Sequence, residues 1–220
     1  MTTEFLSEFL SNRNVPLEIR IERQAQELAH EFSGVFNQDT VNRYLRESLA
    51  ALGNVRLTEY AHILAGRFAR ERLRALARAQ GQLAKDVPAI LYLCNHNAGR
   101  SQMAAAFTAQ LGQDQIIVMS AGSTPSAEVN AVAIQAMAEL GIDLTQEYPK
   151  PITEEVIRDA DVVITMGCGD ACPVYPGKRY EDWELADPAG QPIELVRDVR
   201  DGIEQRVRRL MAELHVAARV

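Results

Sequence analysis

A cysteine, an arginine and a serine stand close together in the segment Cys94-Asn95-His96-Asn97-Ala98-Gly99-Arg100-Ser101. A thiolate is a nucleophile, and a guanidinium presents a planar fork that can hold two oxygens of one anion. The serine hydroxyl can donate a further hydrogen bond to the thiolate. This combination predicts nucleophilic attack by Cys94 on a bound tetrahedral oxyanion. The predicted oxyanion-binding residues are Asn95, His96, Asn97, Ala98, Gly99, Arg100 and Ser101.

The flanking segments predict how this loop is built. An apolar run over 89–93 precedes it and predicts a strand, and a helix is expected over 102–111. Backbone N–H groups in such a strand-to-helix loop converge on one point, where the helix dipole also favours negative charge and stabilises a thiolate. Asn and Gly tolerate the positive φ that a tight loop requires. His96 is expected to contribute its backbone N–H rather than acid–base chemistry. The alternative is a buried structural cysteine with an arginine on the helix surface.

Two further thiols, Cys168 and Cys172, follow a third apolar run, and Gly167 and Gly169 flank the first of them. Three intervening residues make about one helical turn, which places the two Cα atoms roughly 6 Å apart, within the range of a disulfide. A reversible Cys168–Cys172 bond is therefore geometrically easy. Two alternatives stay open: a zinc site with Cys94, which lacks an evident fourth ligand, and two unconnected loop thiols.

An aspartate is a candidate proton donor further along the chain. Pro188 forces Asp187 out of helical geometry, so the carboxyl can project from an extended loop. Departure of an oxygen from an oxyanion needs a proton donor opposite the nucleophile, and a loop aspartate can serve. Asp-Pro is also a common turn, so the pair alone does not decide the role.

The elements needed to position these residues form two groups. Beyond residue 88, strands are predicted over 89–93, 115–120 and 161–166, alternating with helices over 102–111, 127–140, 153–158 and 193–214. This α/β pattern indicates a small parallel sheet with helices on both faces. Ligands bind at the carboxyl ends of the strands in such sheets, where Cys94 falls.

The first 80 residues carry no strand pattern. Helices are predicted over 16–32, 39–52 and 58–79, with Asp39 or Thr40 as the cap of the second, so an all-α three-helix bundle is expected to precede the sheet. The predicted domains are 1–80 and 88–220, joined by a linker at 81–87. The bundle is expected to form a homodimer or to pack on its own catalytic domain, and the sequence does not decide between them.

Composition excludes several classes of partner. The 220-residue chain has a net charge of −7, and the half that holds the anion loop is the acidic half. A small buried oxyanion is therefore favoured over nucleic acid. No apolar run is long enough to cross a bilayer, and the amino terminus predicts no secretion signal. Three cysteines in such a chain are expected to be catalytic or redox-active in the cytoplasm. Neither a metal nor a cofactor is predicted.

Several segments together resemble the low-molecular-weight tyrosine phosphatase fold, and more closely its arsenate reductase branch. They are Cys94 to Ala104, Ser120-Ala121-Gly122-Ser123, the strand leading into the cysteine pair, and Ala186-Asp187-Pro188. The similarity covers roughly residues 88 to 216, and the helical segment 1 to 80 resembles an extension found on some actinobacterial members. Phosphatases of this family present aromatic residues after the Asp-Pro pair, whereas this chain has Ala189-Gly190.

The resemblance implies a role for each residue. Cys94 would attack arsenate, Arg100 would bind it, Asp187 would act as general acid, and Asn97 would hold the strained turn of the loop. Cys168 and Cys172 would be the second and third thiols of a relay regenerated by thioredoxin, or by a low-molecular-weight thiol. The known members place these two cysteines farther apart. The alternatives are a phosphotyrosine or small-phosphoester phosphatase, and an oxyanion-binding sensor.

Overall fold

The computed structural model describes residues 15–53, 60–167 and 174–216. Two compact units divide the chain inside a helix, between Leu73 and Arg74. The described part of the first unit is 15–53 with 60–73, and that of the second is 74–167 with 174–216. None of the described helices has both the length and the apolar character needed to cross a bilayer. The predicted domain limits of 1–80, 81–87 and 88–220 stay a prediction.

The first unit contains the predicted helices. α1 spans Leu17–Glu31, α2 spans Gln38–Ala51, and α3 spans Ala61–Ala79, of which the last six residues belong to the second unit. The cap of α2 differs from the prediction. Asn37, not Asp39 or Thr40, is the N-cap, because its side chain accepts a hydrogen bond from the Thr40 N–H at 2.8 Å.

The second unit is built on a parallel sheet of four strands in the order β2-β1-β3-β4. The strands are β1 Ala89–Cys94, β2 Ile117–Gly122, β3 Val162–Met166 and β4 Arg179–Asp182. All six residues of the central strand β1 are buried. At the carboxyl edge, Cys94 is paired with Gly122 on one side and Met166 on the other.

Helices cover both faces of this sheet, which confirms the predicted α/β architecture. They are α4 Arg100–Gly112, α5 Ala131–Ala138, α6 Glu154–Asp159 and α7 Ile193–Glu213. Alternate residues of β1 enter different cores. Tyr92 and Cys94 pack with residues of α4, α5 and α7, whereas Leu91 and Leu93 pack with residues of α6 and with Ala75 at the end of α3.

β4 has no counterpart among the predicted strands. Its four residues are polar and only partly buried or exposed, as edge strands often are. Directly after it, Trp183 is buried against Tyr92, with ring centroids 5.7 Å apart. The backbone N–H of Trp183 donates to the Thr165 carbonyl. β4 and Trp183 thus fix the start of the segment that leads to Asp187.

Candidate oxyanion site

The predicted anion-binding loop connects β1 to α4. β1 ends at Cys94 and α4 begins at Arg100, two residues earlier than predicted, so residues 95–99 form the connection. The first N–H groups of a helix have no acceptor within the helix. Because Arg100 and Ser101 are the first two residues of α4, their N–H groups are available to a ligand held by the loop.

The loop carbonyls are tied to the segment that follows β2. Four backbone N–H groups of that segment donate to four backbone carbonyls of the loop. The bonds are Ser123 N–H to the Cys94 carbonyl (3.3 Å), Thr124 N–H to the Asn95 carbonyl (2.8 Å), Ser126 N–H to the His96 carbonyl (3.0 Å) and Asn130 N–H to the Ala98 carbonyl (2.8 Å). In a trans peptide, a carbonyl and the next N–H point in opposite directions. The N–H groups that follow these carbonyls therefore point into the loop, and one of them, from Asn97, donates to Cys94 Sγ at 3.2 Å.

The thiol of Cys94 is buried beneath the loop and has a second polar neighbour. Its Sγ lies 3.0 Å from Ser101 Oγ. The Asn97 side-chain amide donates to the same Oγ at 2.9 Å. Since Ser101 Oγ accepts from Asn97, its single hydrogen is left to donate to the sulfur. Two donors thus face Cys94 Sγ.

Asn97 has the left-handed backbone conformation that the sequence suggested for this loop, with φ of 47°. Its side-chain oxygen accepts from the Lys150 N–H at 3.0 Å and from Gln102 Nε2 at 3.3 Å. Gln102 Nε2 also lies 2.9 Å from the Asn97 carbonyl and 3.2 Å from the Tyr148 carbonyl. Neither Gln102 nor the 148–150 segment was predicted to belong to the site. The available signal for Gln102 was its position in the first turn of α4, directly after Arg100 and Ser101.

Arg100 is brought beside the loop and is buried. Its NH1 donates to the Leu185 carbonyl at 3.2 Å, and its NH2 donates to Asp187 Oδ2 at 2.9 Å. Both partners lie in the segment that follows β4. These two contacts hold the guanidinium in one orientation, as bidentate recognition of an oxyanion requires.

Asp187 lies at the site, about half exposed. Its Oδ1 accepts from the Ala189 N–H at 3.0 Å, a turn that fixes the side chain above Pro188. Pro188 in turn packs against the loop, since a Cβ on Gly99 would lie 2.7 Å from Pro188 Cγ. A side chain at Gly99 would push the aspartate segment away from the loop.

The remaining predicted residues divide into two groups. Asn95, His96 and Ala98 lie in the loop, and one ring nitrogen of the exposed His96 lies 3.1 Å from the Thr124 carbonyl. Cys168 and Cys172 lie outside the described residues. Gly167, which precedes Cys168, has φ of +75°, and a Cβ there would lie 2.9 Å from Arg100 NH1. Within the described chain, no cluster of three or more His, Cys, Asp or Glu residues is arranged to hold a metal ion.

Comparison with known proteins places these features in context. Residues 89–219 match the model of the low molecular weight phosphotyrosine protein phosphatase family, and residues 21–77 match that of a protein-tyrosine-phosphatase-like N-terminal domain. The thioredoxin-dependent arsenate reductase of Corynebacterium glutamicum is 41% identical, with a TM-score of 0.82 over 91% of this chain and 98% of that one. The glutaredoxin arsenate reductase of Synechocystis is 39% identical over 57% of this chain and 97% of its own length. The putative arsenate reductase of Halobacterium salinarum is 35% identical over 56% and 91%.

Proposed function

The chain belongs to the low molecular weight phosphotyrosine protein phosphatase family, and from that premise we propose that it reduces arsenate to arsenite by a thiolate relay. The observation that carries the proposal is the loop of residues 94–101. Its N–H groups, the two donors on Cys94 Sγ and the fixed Arg100 fork suit attack on a small tetrahedral oxyanion. The curated relatives described above are named arsenate reductases.

The first step is attack of the Cys94 thiolate on arsenic. Arg100 and the loop N–H groups hold the anion, and one arsenate hydroxyl leaves as water when a proton reaches it. Asp187 supplies this proton. The carboxylate is paired with Arg100 at 2.9 Å, so it lies beside the guanidinium that binds the anion. The product is a covalent Cys94–arsenic(V) adduct.

The second step is the redox step. The Cys168 thiolate attacks Cys94 Sγ, the sulfur–arsenic electron pair passes to arsenic, and arsenic(III) leaves as arsenite. Two thiolates have then lost two electrons and become a Cys94–Cys168 disulfide. Cys172 attacks Cys168, which releases Cys94 and forms a Cys168–Cys172 disulfide. Thioredoxin reduces this disulfide, and the relay begins again.

The test of this function is arsenate-dependent oxidation of NADPH by the full chain with thioredoxin and thioredoxin reductase. A parallel assay replaces thioredoxin by a low-molecular-weight thiol system and identifies the reductant. The comparisons do not favour the phosphatase or the oxyanion sensor. Hydrolysis of a chromogenic phosphoester without arsenate reduction by either system would support the phosphatase function instead. Arsenate binding without any turnover would support the oxyanion sensor.

The relay makes a specific prediction for the third thiol. Cys172→Ser is expected to form one arsenite per protein molecule and then stop, because the Cys94–Cys168 disulfide is no longer resolved. Rapid-quench measurement of arsenite against protein, together with the steady-state NADPH assay, gives both quantities. Cys94→Ser is the control and is expected to form none. Sustained turnover of Cys172→Ser with thioredoxin would contradict a three-thiol relay.

Location and assembly belong to the same proposal. The cytoplasm supplies thioredoxin and keeps thiols reduced, so the reaction is placed there. A homodimer through helices α1 to α3 is proposed because exposed apolar side chains, including Leu17, Ile19 and Ile63, lie in that part of the chain. Sedimentation equilibrium of the full chain tests the dimer, and a monomer across micromolar concentrations would exclude it.

A further inference from the structure

We propose that Gln102 is a positioning residue for the Cys94 thiolate, acting through Asn97 and Ser101. Gln102 does not touch the sulfur and is only 1% exposed. Its amide nitrogen faces the Asn97 carbonyl, the Asn97 side-chain oxygen and the Tyr148 carbonyl, at 2.9, 3.3 and 3.2 Å. The inference rests on the proposed function only for the role of Cys94 as the nucleophile.

The first effect of Gln102 is on the backbone of Asn97. A non-glycine residue at φ of 47° is disfavoured by about 1 kcal/mol or more, although Asn tolerates this region better than most residues. The 2.9 Å bond from Gln102 holds the Asn97 carbonyl in this conformation. The same conformation directs the Asn97 N–H at Cys94 Sγ.

The second effect of Gln102 is on the direction of the Asn97 side-chain amide. A reversed amide would turn its oxygen toward Ser101, and the serine hydrogen would then be drawn to Asn97 instead of to Cys94 Sγ. In the observed direction the amide oxygen faces the Lys150 N–H at 3.0 Å and, at 3.3 Å, a Gln102 Nε2 hydrogen that is shared with a backbone carbonyl. Removing the Gln102 donor leaves one of them, so the direction of the amide is less strongly determined.

The third effect of Gln102 is to connect the loop to the buried 148–150 segment. Tyr148 and Lys150 are both buried, and each offers a backbone group to the network. Gln102 bonds to Tyr148 and Asn97 together, so it fixes the distance between that segment and the loop. The two donors on Cys94 Sγ thus depend on a side chain that does not itself touch the sulfur.

The experiment measures the thiol directly. In a Cys168→Ser/Cys172→Ser background, Cys94 is the one cysteine of the chain, and its alkylation by iodoacetamide is followed at pH 7 and pH 10. Gln102→Met removes the donors but keeps the length and the helix propensity of the side chain. The parent is also followed below pH 7, and at a pH where its rate is still rising, alkylation of Gln102→Met is expected to be about five-fold slower, as weakening one hydrogen bond to a charged group implies. At pH 10, where thiols are largely ionised, the rate should stay within about two-fold of the parent.

Two further variants separate positioning from general stability. Gln110→Met makes the same substitution at an exposed position of α4 and is expected to leave both rates unchanged. In a Ser101→Ala background the route through the serine is gone and the Asn97 N–H is the remaining donor, so Gln102→Met should lower the ratio of the low-pH rate to the pH 10 rate less than in the parent. Equal loss at both pH values, or the same loss with and without Ser101, would overturn the inference. Alkylation needs no arsenate turnover, so failure of the proposed function and failure of this inference are distinguishable.

Discussion

At the residue scale, Gly167 leaves the space that the Arg100 guanidinium occupies. Its φ of +75° and the 2.9 Å separation of a Cβ from Arg100 NH1 both restrict this position to glycine. Gly141 is a matched position, because its φ is +74° but nothing lies within 4 Å of a Cβ there. Comparing alanine substitutions at these two glycines separates the cost of backbone strain from the cost of moving Arg100.

Gly167→Ala is expected to raise the KM for arsenate about ten-fold or more, since the far end of a flexible arginine yields to the methyl group and displaces the anion-binding fork. Gly141→Ala should leave KM unchanged. Both variants should lose about 1 kcal/mol of unfolding free energy from strain. Steady-state kinetics and urea unfolding measure the two effects. Equal KM values for the two variants would contradict the role of Arg100 in binding.

The residues predicted from sequence at this site share one property, which is that their side chains have the chemistry that the site needs. Cys94, Arg100 and Asp187 could be selected by type and by neighbours along the chain. The Lys150 N–H and the Tyr148 and Leu185 carbonyls could not, because every residue carries such backbone groups. Their selection depends on contacts between segments that are 46 to 85 residues apart in sequence.

At the element scale, one residue, Asn130, both caps helix α5 and holds the loop between β1 and α4. The Asn130 side chain accepts from the Val132 and Ala133 N–H groups, at 2.8 and 3.0 Å, and its own N–H holds the Ala98 carbonyl. Loss of this cap lets the first turn of α5 move, and the loop carbonyl moves with it. Asn37 caps α2 in the other unit by the same type of bond.

Asn130→Ala and Asn37→Ala are each expected to cost about 1 kcal/mol of unfolding free energy, the usual value for a lost cap. Arsenate KM should rise several-fold in Asn130→Ala and stay unchanged in Asn37→Ala. Differential scanning calorimetry gives the stability of each variant, and the NADPH assay gives KM. A rise in KM for Asn37→Ala as large as that for Asn130→Ala would show that general destabilisation, not loop geometry, explains the effect.

The elements themselves were predictable to different degrees. β1 and β3 are buried and apolar, so local composition was enough to find them. β4 is four polar residues, and what makes it a strand is pairing with β3 and the burial of Trp183 against Tyr92. Those are long-range interactions, which local patterns do not contain.

At the scale of the whole molecule, the end of α3 belongs to the sheet unit. Ala75 is part of the core on one face of the sheet. Arg78 forms an ion pair with Asp159, whose side chain is fully buried, and Lys85 donates to the Asp159 carbonyl and to Asp161. The sequence predicted the helix but not the burial of its final turns, because periodicity does not identify the surface that a helix contacts. A fragment that begins at residue 88 would lack all three of these groups.

Arg78→Met in the full chain is therefore expected to lower the unfolding free energy of the sheet unit by about 2–3 kcal/mol, because it leaves a buried carboxylate with one fewer cation. The cost stays below the full value for a broken buried pair, since Lys85 Nζ lies 3.8 Å from Asp159 Oδ1. Adding Asp159→Asn should recover part of the loss, as removal of the buried charge implies. Urea unfolding followed by fluorescence of Trp183, the one tryptophan of the chain, reports on this unit. Arg209→Met, which removes an exposed i,i+4 ion pair with Glu213 on α7, should change stability by no more than about 0.5 kcal/mol. Equal effects of the two substitutions would mean that the sheet unit does not depend on the end of α3.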